Sequence, residues 1–146
     1  MLPPLNADGA LPAGVHPASW ADVEAAFAGT PWRTWLFDGL RRAALSLGQA
    51  GCRALWLDGS YVTAKEPPGD FDGCWDPVGV DPAKLDPVLL EFAGGRAAQK
   101  AKYGGELFPA TWPADARGTP FVEFLQIDKE TGSAKGIVLI DPRSAS

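Results

Sequence analysis

The sequence contains a single histidine, His16, and only two cysteines, Cys52 and Cys74. A Ser-His-Asp or Cys-His catalytic site would have to use that one imidazole, and a zinc site would have only one imidazole ligand. His16 lies in a stretch rich in proline and glycine, so we expect it to pack within a loop. Two cysteines do not make a disulfide framework, and we expect free thiols in a reducing cytoplasm.

The sequence also lacks long apolar runs and an excess of basic residues. No run approaches the roughly 18 apolar residues that a membrane span needs, so we expect no membrane association. The first residues, MLPPLNADGALPAG, have no basic start and no long apolar block, so we expect no signal peptide. The net charge of −5 argues against broad nucleic-acid binding, which needs a clustered positive surface. Recognition of one nucleotide or one RNA end stays open.

The chain of 146 residues is long enough for one domain with its own core, and we predict a single domain over 1–146 whose residues 1–18 form an extended arm. A capping box at Ser19 predicts a helix over 20–28. Thr30 and Pro31 predict the start of a second helix, over 31–50. Its apolar stripe includes Trp32 and Trp35, which we expect in the core, and leaves Arg33 off the stripe.

The rest of the pattern predicts strands and one more helix. Short apolar runs indicate strands over 53–57 and 70–75, and GRAAQKAKYGG indicates a helix that ends at Gly104. The basic cluster of Arg96, Lys100 and Lys102 is typical of a solvated helix face. Residues 107–120 read as a loop, and 121–140 as a β-hairpin. The predicted fold class is α+β, a mixed β-sheet with helices packed on it and a C-terminal hairpin.

A Gly-Ser pair and an Asp-x-Asp pair stand out within this framework. Asp70 and Asp72 are two apart on a predicted strand, which sends both carboxylates to one face, roughly 6–7 Å apart. Two such charges repel unless one is protonated or a cation lies between them. Magnesium takes oxygen ligands of this kind together with substrate phosphates. Gly59 allows close approach of backbone to a ligand, and Ser60 opens a helical turn whose N–H groups attract phosphate.

The order of an apolar strand, Gly-Ser, nine residues and Asp-x-Asp resembles the signature of the nucleotidyltransferase superfamily, the DNA polymerase beta-like fold. The resemblance implies that Gly59 and Ser60 bind the triphosphate of an NTP, and that Asp70 and Asp72 bind Mg²⁺ or Mn²⁺. The stretches LPAGVH (11–16) and WLDGS (56–60) are similar to those of short bacterial members of this superfamily.

The superfamily also brings a third carboxylate from a later strand. The choices in this sequence are Glu123, Asp128 and Asp141, and Glu123 is preferred because it lies inside the predicted strand FVEFL, where an unpaired charge is costly. Lys65, in the turn after Gly-Ser, is a candidate phosphate ligand. Its alternative is an exposed helix lysine.

The first functional hypothesis is a metal-dependent nucleotidyltransferase that acts on a hydroxyl of a protein, an RNA or a small molecule, in a toxin–antitoxin or defence context. The second is an inactive module of the same fold that binds a partner protein as an antitoxin or regulator. A metal-dependent phosphohydrolase that uses the same aspartates is the third. Nucleotide transfer separates the first from the others.

Overall fold

A five-stranded mixed sheet with helices packed against it forms the fold, as seen in a computed structural model that describes residues 2–145. Met1 and Ser146, the ends of the predicted domain, lie outside the described residues. The strands are β1 (Gly14–Pro17), β2 (Leu55–Asp58), β3 (Phe71–Trp75), β4 (Gly105–Pro109) and β5 (Gly136–Ile140). The helices are α1 (Trp20–Phe27), α2 (Pro31–Gln49), α3 (Ala93–Tyr103) and α4 (Phe121–Phe124).

The strand order is β1-β5-β2-β3-β4. The outer pairs, β1 with β5 and β3 with β4, are parallel, whereas β2 runs antiparallel to both β5 and β3. The predicted class, α+β with a mixed sheet, is therefore confirmed. Because β2 ends where β3 and β4 begin, its last residue pairs with the second residue of β3, which in turn pairs with the second residue of β4.

Helix α2 covers one face of the sheet. Thr30 caps it by accepting a hydrogen bond from the backbone N–H of Arg33, and Pro31 occupies its first position, as predicted. The capping box of Ser19 and Asp22 on α1 is also confirmed. The buried face of α2 packs in the main core with the inward residues of the sheet; its members include Leu36, Leu40, Ala43, Ala44 and Leu47.

The prediction that Trp32 and Trp35 lie in the core is wrong. Their side chains are 41% and 50% exposed and stack on each other with ring centroids 5.0 Å apart. The Trp32 indole N–H donates to the carbonyl oxygen of Pro68. The buried stripe of the helix instead begins at Arg33 and continues through Leu36 and Phe37, which turns the neighbouring indoles outward.

Arg33 is 4% exposed, contrary to the prediction that it lies off the buried stripe. Its guanidinium pairs with Glu66 at 3.1 Å and donates to four backbone carbonyl oxygens, those of Phe27, Tyr61, Thr63 and Lys65. Helical periodicity assigns charged side chains to the solvent-facing side of a helix by default. The planar guanidinium of Arg33, however, has five N–H donors and can pair with several backbone carbonyls of one coil segment. Arg33 thereby organises the segment that follows Gly59 and Ser60.

Three other predictions need correction. Part of the expected arm, Gly14–Pro17, is strand β1, and β4 occupies Gly105–Pro109 where a loop was expected from residue 107. Residues 121–124 are helical rather than extended, because the chain turns into a short helix after Pro120. Of the predicted hairpin, the turn is present with a single bridge between Ile127 and Ala134, and β5 is present as the C-terminal strand.

We predict that Arg33→Met lowers the free energy of unfolding by about 3 kcal/mol, because four backbone carbonyls, two of them in buried hydrogen bonds, and Glu66 lose their donor. The matched control is Arg41→Met on the same helix, where the guanidinium is half-exposed and its closest carboxylate atom lies 4.0 Å away. We expect the control to change stability by less than about 0.5 kcal/mol. Urea unfolding of the variants measures both. Equal effects in the two variants would contradict the structural role of Arg33.

Candidate functional site

Three carboxylates lie side by side where β2 ends and β3 and β4 begin. Asp58 pairs with Asp72 across the antiparallel β2–β3 ladder, and Asp72 pairs with Glu106 across the parallel β3–β4 ladder. Residues directly opposite each other share a face of the sheet, so the three side chains project from the same face. The adjacent Phe71 points to the other face, where it is fully buried in the main core.

Cations of the protein neutralise the two outer acids but not the middle one. Lys135 Nζ lies 2.9 Å from Asp58 Oδ2, and Arg96 Nε lies 2.7 Å from Glu106 Oε2. Lys100 Nζ is 3.7 Å from the same Glu106 oxygen. Within residues 2–145, Asp72 makes no ion pair. The predicted basic helix face is thus partly used at this site.

Burial and the two flanking acids raise the pKa of the Asp72 carboxyl to about 7. Burial is the largest cause, followed by the charges of Glu106 and Asp58 and by a hydrogen bond between the Asp72 and Glu106 carboxyl groups. The positive charge of Lys129 opposes the shift. Burial and neighbouring negative charge both disfavour the ionised carboxylate, so a cation bound beside it would stabilise that form.

Gly59 brings the Gly-Ser turn into contact with Asp72. Its φ of +87° belongs to the left-handed region, and a Cβ at this position would lie 3.0 Å from Asp72 Oδ2 and 3.2 Å from the Asp72 backbone nitrogen. Ser60 then begins a single 3₁₀ turn, Ser60–Val62, and its Oγ accepts a hydrogen bond from Gly69 N at 2.8 Å. The structure therefore brings Gly59, Ser60 and Asp72 together.

A cleft of about 560 Å³ opens over this turn. Its lining includes Asp58, Gly59, Ser60 and Asp72 on one side and the loop residues Asp128, Lys129 and Lys135 on the other. Two lysines thus face the turn. The loop that supplies Lys129 closes with hydrogen bonds from Glu130 N and Thr131 N to Asp128 Oδ1.

A second cavity, of about 260 Å³, lies on the Glu106 side of Asp72. Asp72, Leu125 and Lys129 line both spaces, so the two meet at the middle acid. The remaining walls of the smaller cavity include three aromatic rings, those of Phe108, Phe121 and Phe124, together with Arg96 and Glu106.

Other predicted site residues lie away from this centre. Asp70 precedes β3, is partly exposed and lines neither cavity. Lys65 is exposed and also lines neither; its backbone carbonyl accepts from Arg33. Glu123 is exposed on α4, so the strand argument that favoured it is wrong. Asp128 lines the larger cleft, and Asp141 caps the last 3₁₀ turn and pairs with Arg143.

Asp58 and Glu106 are the acids that sequence reasoning missed. Asp58 immediately precedes Gly59-Ser60 in the stretch WLDGS, so its position at the end of an apolar run was a usable signal. Glu106 follows Gly104-Gly105 and belongs to a five-residue strand that ends at Pro109. Its register against Asp72 is a tertiary property that no local pattern carries.

A divalent metal needs several oxygen ligands that converge on one point. Within residues 2–145, no three His, Cys, Asp or Glu side chains are arranged as a ready metal site. The chemistry nevertheless fits, because Asp72 is a buried carboxyl that makes no ion pair with any residue in 2–145 and borders Glu106. Hard cations such as Mg²⁺ and Mn²⁺ bind such oxygens. Asp72 and Glu106 are the residues that would hold the ion.

Comparison with known proteins places the chain in one family. Residues 3–141 match the model described as a family of unknown function, DUF6932. No curated protein and no solved structure matches the chain. Across residues 2–145, no helix is long and apolar enough to cross a membrane.

We predict that Asp72→Asn stabilises the metal-free protein more at pH 8 than at pH 5, by on the order of 2 kcal/mol. The folded-state pKa of about 7 exceeds the ordinary value of 3.8, so the folded protein favours protonated Asp72. That stability is fully present below about pH 4 and is lost as the pH rises through 7. Asparagine carries no charge and avoids the loss. Thermal unfolding of both proteins from pH 5 to pH 8 measures the difference; a constant difference would contradict the raised pKa.

Proposed function

The chain belongs to the family of unknown function DUF6932, and from its cleft we propose that it is a metal-dependent nucleotidyltransferase. One observation carries the proposal. The left-handed Gly59 places the Gly-Ser turn against Asp72, which stands in a row with Asp58 and Glu106. A turn for phosphates beside adjoining carboxylates is the combination that phosphoryl chemistry with a divalent ion needs.

We assign phosphate binding in the larger cleft to the backbone of the Gly-Ser turn, the Ser60 hydroxyl and two lysines. The 3₁₀ turn has only three residues, Ser60–Val62, so its dipole adds little. Gly59 lets phosphate oxygens approach the backbone because it has no side chain, and the Ser60 hydroxyl can donate while its oxygen accepts from Gly69. Lys129 and Lys135 supply positive charge from the facing loop. Lys65 has no part in this account.

The reaction we propose is transfer of a nucleotidyl group. An acceptor hydroxyl oxygen forms a bond to the α-phosphorus, the bond from that phosphorus to the bridging oxygen breaks, pyrophosphate leaves, and the hydroxyl proton passes to water. A bound divalent ion would neutralise charge on the phosphates. The side chains of Asp72 and Glu106 would hold that ion. Arg96 and Lys135 fix the positions of the outer acids, Glu106 and Asp58, through ion pairs. The role of Asp70 as a second metal ligand stays a prediction.

A second candidate is an inactive module of the same fold that binds a partner protein as an antitoxin or regulator. The ion pairs of Asp58 with Lys135 and of Glu106 with Arg96 favour it, because a metal would compete with cations already in place. The exposed stack of Trp32 and Trp35 offers an apolar contact for a partner. In either case we propose a cytoplasmic protein.

We predict that an NTP with Mg²⁺ or Mn²⁺ raises the melting temperature of the wild-type protein. Ligand at about 100 times its Kd adds about 2.7 kcal/mol, which corresponds to roughly 5–10 °C for a domain of this size. Asp72→Asn should lose this shift although it stabilises the metal-free protein. The control Asp38→Asn, an exposed acid on α2, should keep it.

Differential scanning fluorimetry with each of the four NTPs, with and without metal, provides the measurement. Asp70→Asn tests the second predicted ligand in the same series. A metal-dependent shift that Asp72→Asn retains would contradict the site. The absence of a shift with every NTP would favour the inactive module.

A further inference from the structure

We propose that the 260 Å³ cavity on the Glu106 side of Asp72 is the acceptor subsite, and that it takes a molecule with a flat aromatic ring and a hydroxyl group, on the ring or on a group attached to it, which is modified. The inference rests on the proposed function and specifies its acceptor. A phenol and a nucleoside share this chemistry, since each pairs a planar ring with a hydroxyl.

The walls of the cavity are built for a ring. Phe108 and Phe121 stack with centroids 4.2 Å apart and an angle of 5° between their planes, and Phe124 meets Phe121 edge-on at 6.4 Å. The volume of about 260 Å³ falls below the roughly 300–1,000 Å³ of sites for drug-sized ligands. One ring system fits such a space, whereas a whole nucleotide with its phosphates needs the larger cleft.

A strained residue supplies the polar end of this cavity. Among residues 2–145, Arg96 is the one non-glycine residue with a positive φ, at 63°, and it follows two left-handed glycines, Gly94 and Gly95. This backbone brings its guanidinium to 5.4 Å from the centroid of the Phe108 ring and to 2.7 Å from Glu106. Strain of this kind persists where surrounding contacts impose it, commonly at binding sites. Arg96 joins an aromatic wall to a carboxylate.

The position of the smaller cavity is the one from which an acceptor hydroxyl would attack. In phosphoryl transfer the attacking and leaving oxygens lie roughly in line across the phosphorus. With the pyrophosphate on the Gly59-Ser60 side of Asp72, the attacking hydroxyl must come from the opposite side. The smaller cavity lies on that side, because it is lined by Glu106, which flanks Asp72 on the side opposite Asp58 in the sheet.

The acidic residues at the cavity and its phenylalanine walls limit the chemical class of the acceptor further. Asp72 and Glu106 lie at the cavity, and the chain as a whole carries −5, so the phosphates of an RNA strand are poorly accommodated. An aliphatic polyol would place hydroxyl groups against phenylalanine rings without partners. An uncharged aromatic ring instead gains apolar and edge-to-face contact with these rings, which already stack on one another, and directs its hydroxyl toward the acids.

The experiment blocks the cavity and spares the cleft. Ala114 lines only the smaller cavity, and Ala114→Trp fills it. The matched control is Thr111→Trp, three residues earlier in the same loop, which is exposed and lines neither space. Ligand-observed NMR without nucleotide measures binding of N-acetyltyrosinamide and of adenosine, with glycerol as the aliphatic hydroxyl control.

We expect one or both ring compounds to bind the wild-type protein and Thr111→Trp, with at least a tenfold loss of affinity in Ala114→Trp, and no glycerol binding. The melting shift with NTP and metal should persist in all three proteins. Transfer of label from an α-³²P-labelled NTP to the phenol or to the nucleoside then identifies the source of the ring.

The two proposals fail separately. Ring binding that Ala114→Trp abolishes, in a protein with no NTP shift, would support the ring site but overturn its role as an acceptor subsite, together with the nucleotidyltransferase. An NTP shift accompanied by no ring binding at millimolar concentration, or by equal ring binding in Ala114→Trp, would overturn the acceptor subsite and leave the nucleotide site standing.

Discussion

Repulsion between three neighbouring carboxylates is the constraint on which the site depends. Strand register places Asp58, Asp72 and Glu106 in a row, and the protein offsets the outer charges with Lys135 and Arg96. Among residues 2–145 the middle acid has no such partner, and its pKa is raised to about 7. An arrangement that costs stability without a ligand is typical of a binding site, because a ligand can supply the missing charge.

The segment that follows the Gly-Ser turn is stabilised by the buried guanidinium of Arg33. Arg33 lies on the core-facing side of α2. It donates hydrogen bonds to the backbone carbonyls of residues 61, 63 and 65, which follow Ser60. The two halves of the site therefore depend on different parts of the chain. Arg33 on α2 supports the turn, whereas strand pairing positions the acids.

Local signals predicted the parts of this structure that local chemistry determines. Thr30 with Pro31, and Ser19 with Asp22, marked the starts of the first two helices, and the Gly-Ser and Asp-x-Asp pattern assigned Gly59 and Asp72, which are in contact, to one site. Long-range pairing lay beyond such signals. Glu106 was missed because its five-residue strand begins with glycine and ends with proline, which are typical of loops. Only the register of this strand with β3 places Glu106 beside Asp72. The short run FVEFL fitted a strand as well as a helix, and the chain formed the helix.

Crystals grown with a non-hydrolysable NTP analogue and Mn²⁺ test the central claim most directly, through the anomalous signal of manganese. The account predicts one peak at the carboxylates of Asp72 and Glu106, with the triphosphate on Gly59 and Ser60. A nucleotide elsewhere on the protein, or a manganese peak remote from Asp72, would contradict it.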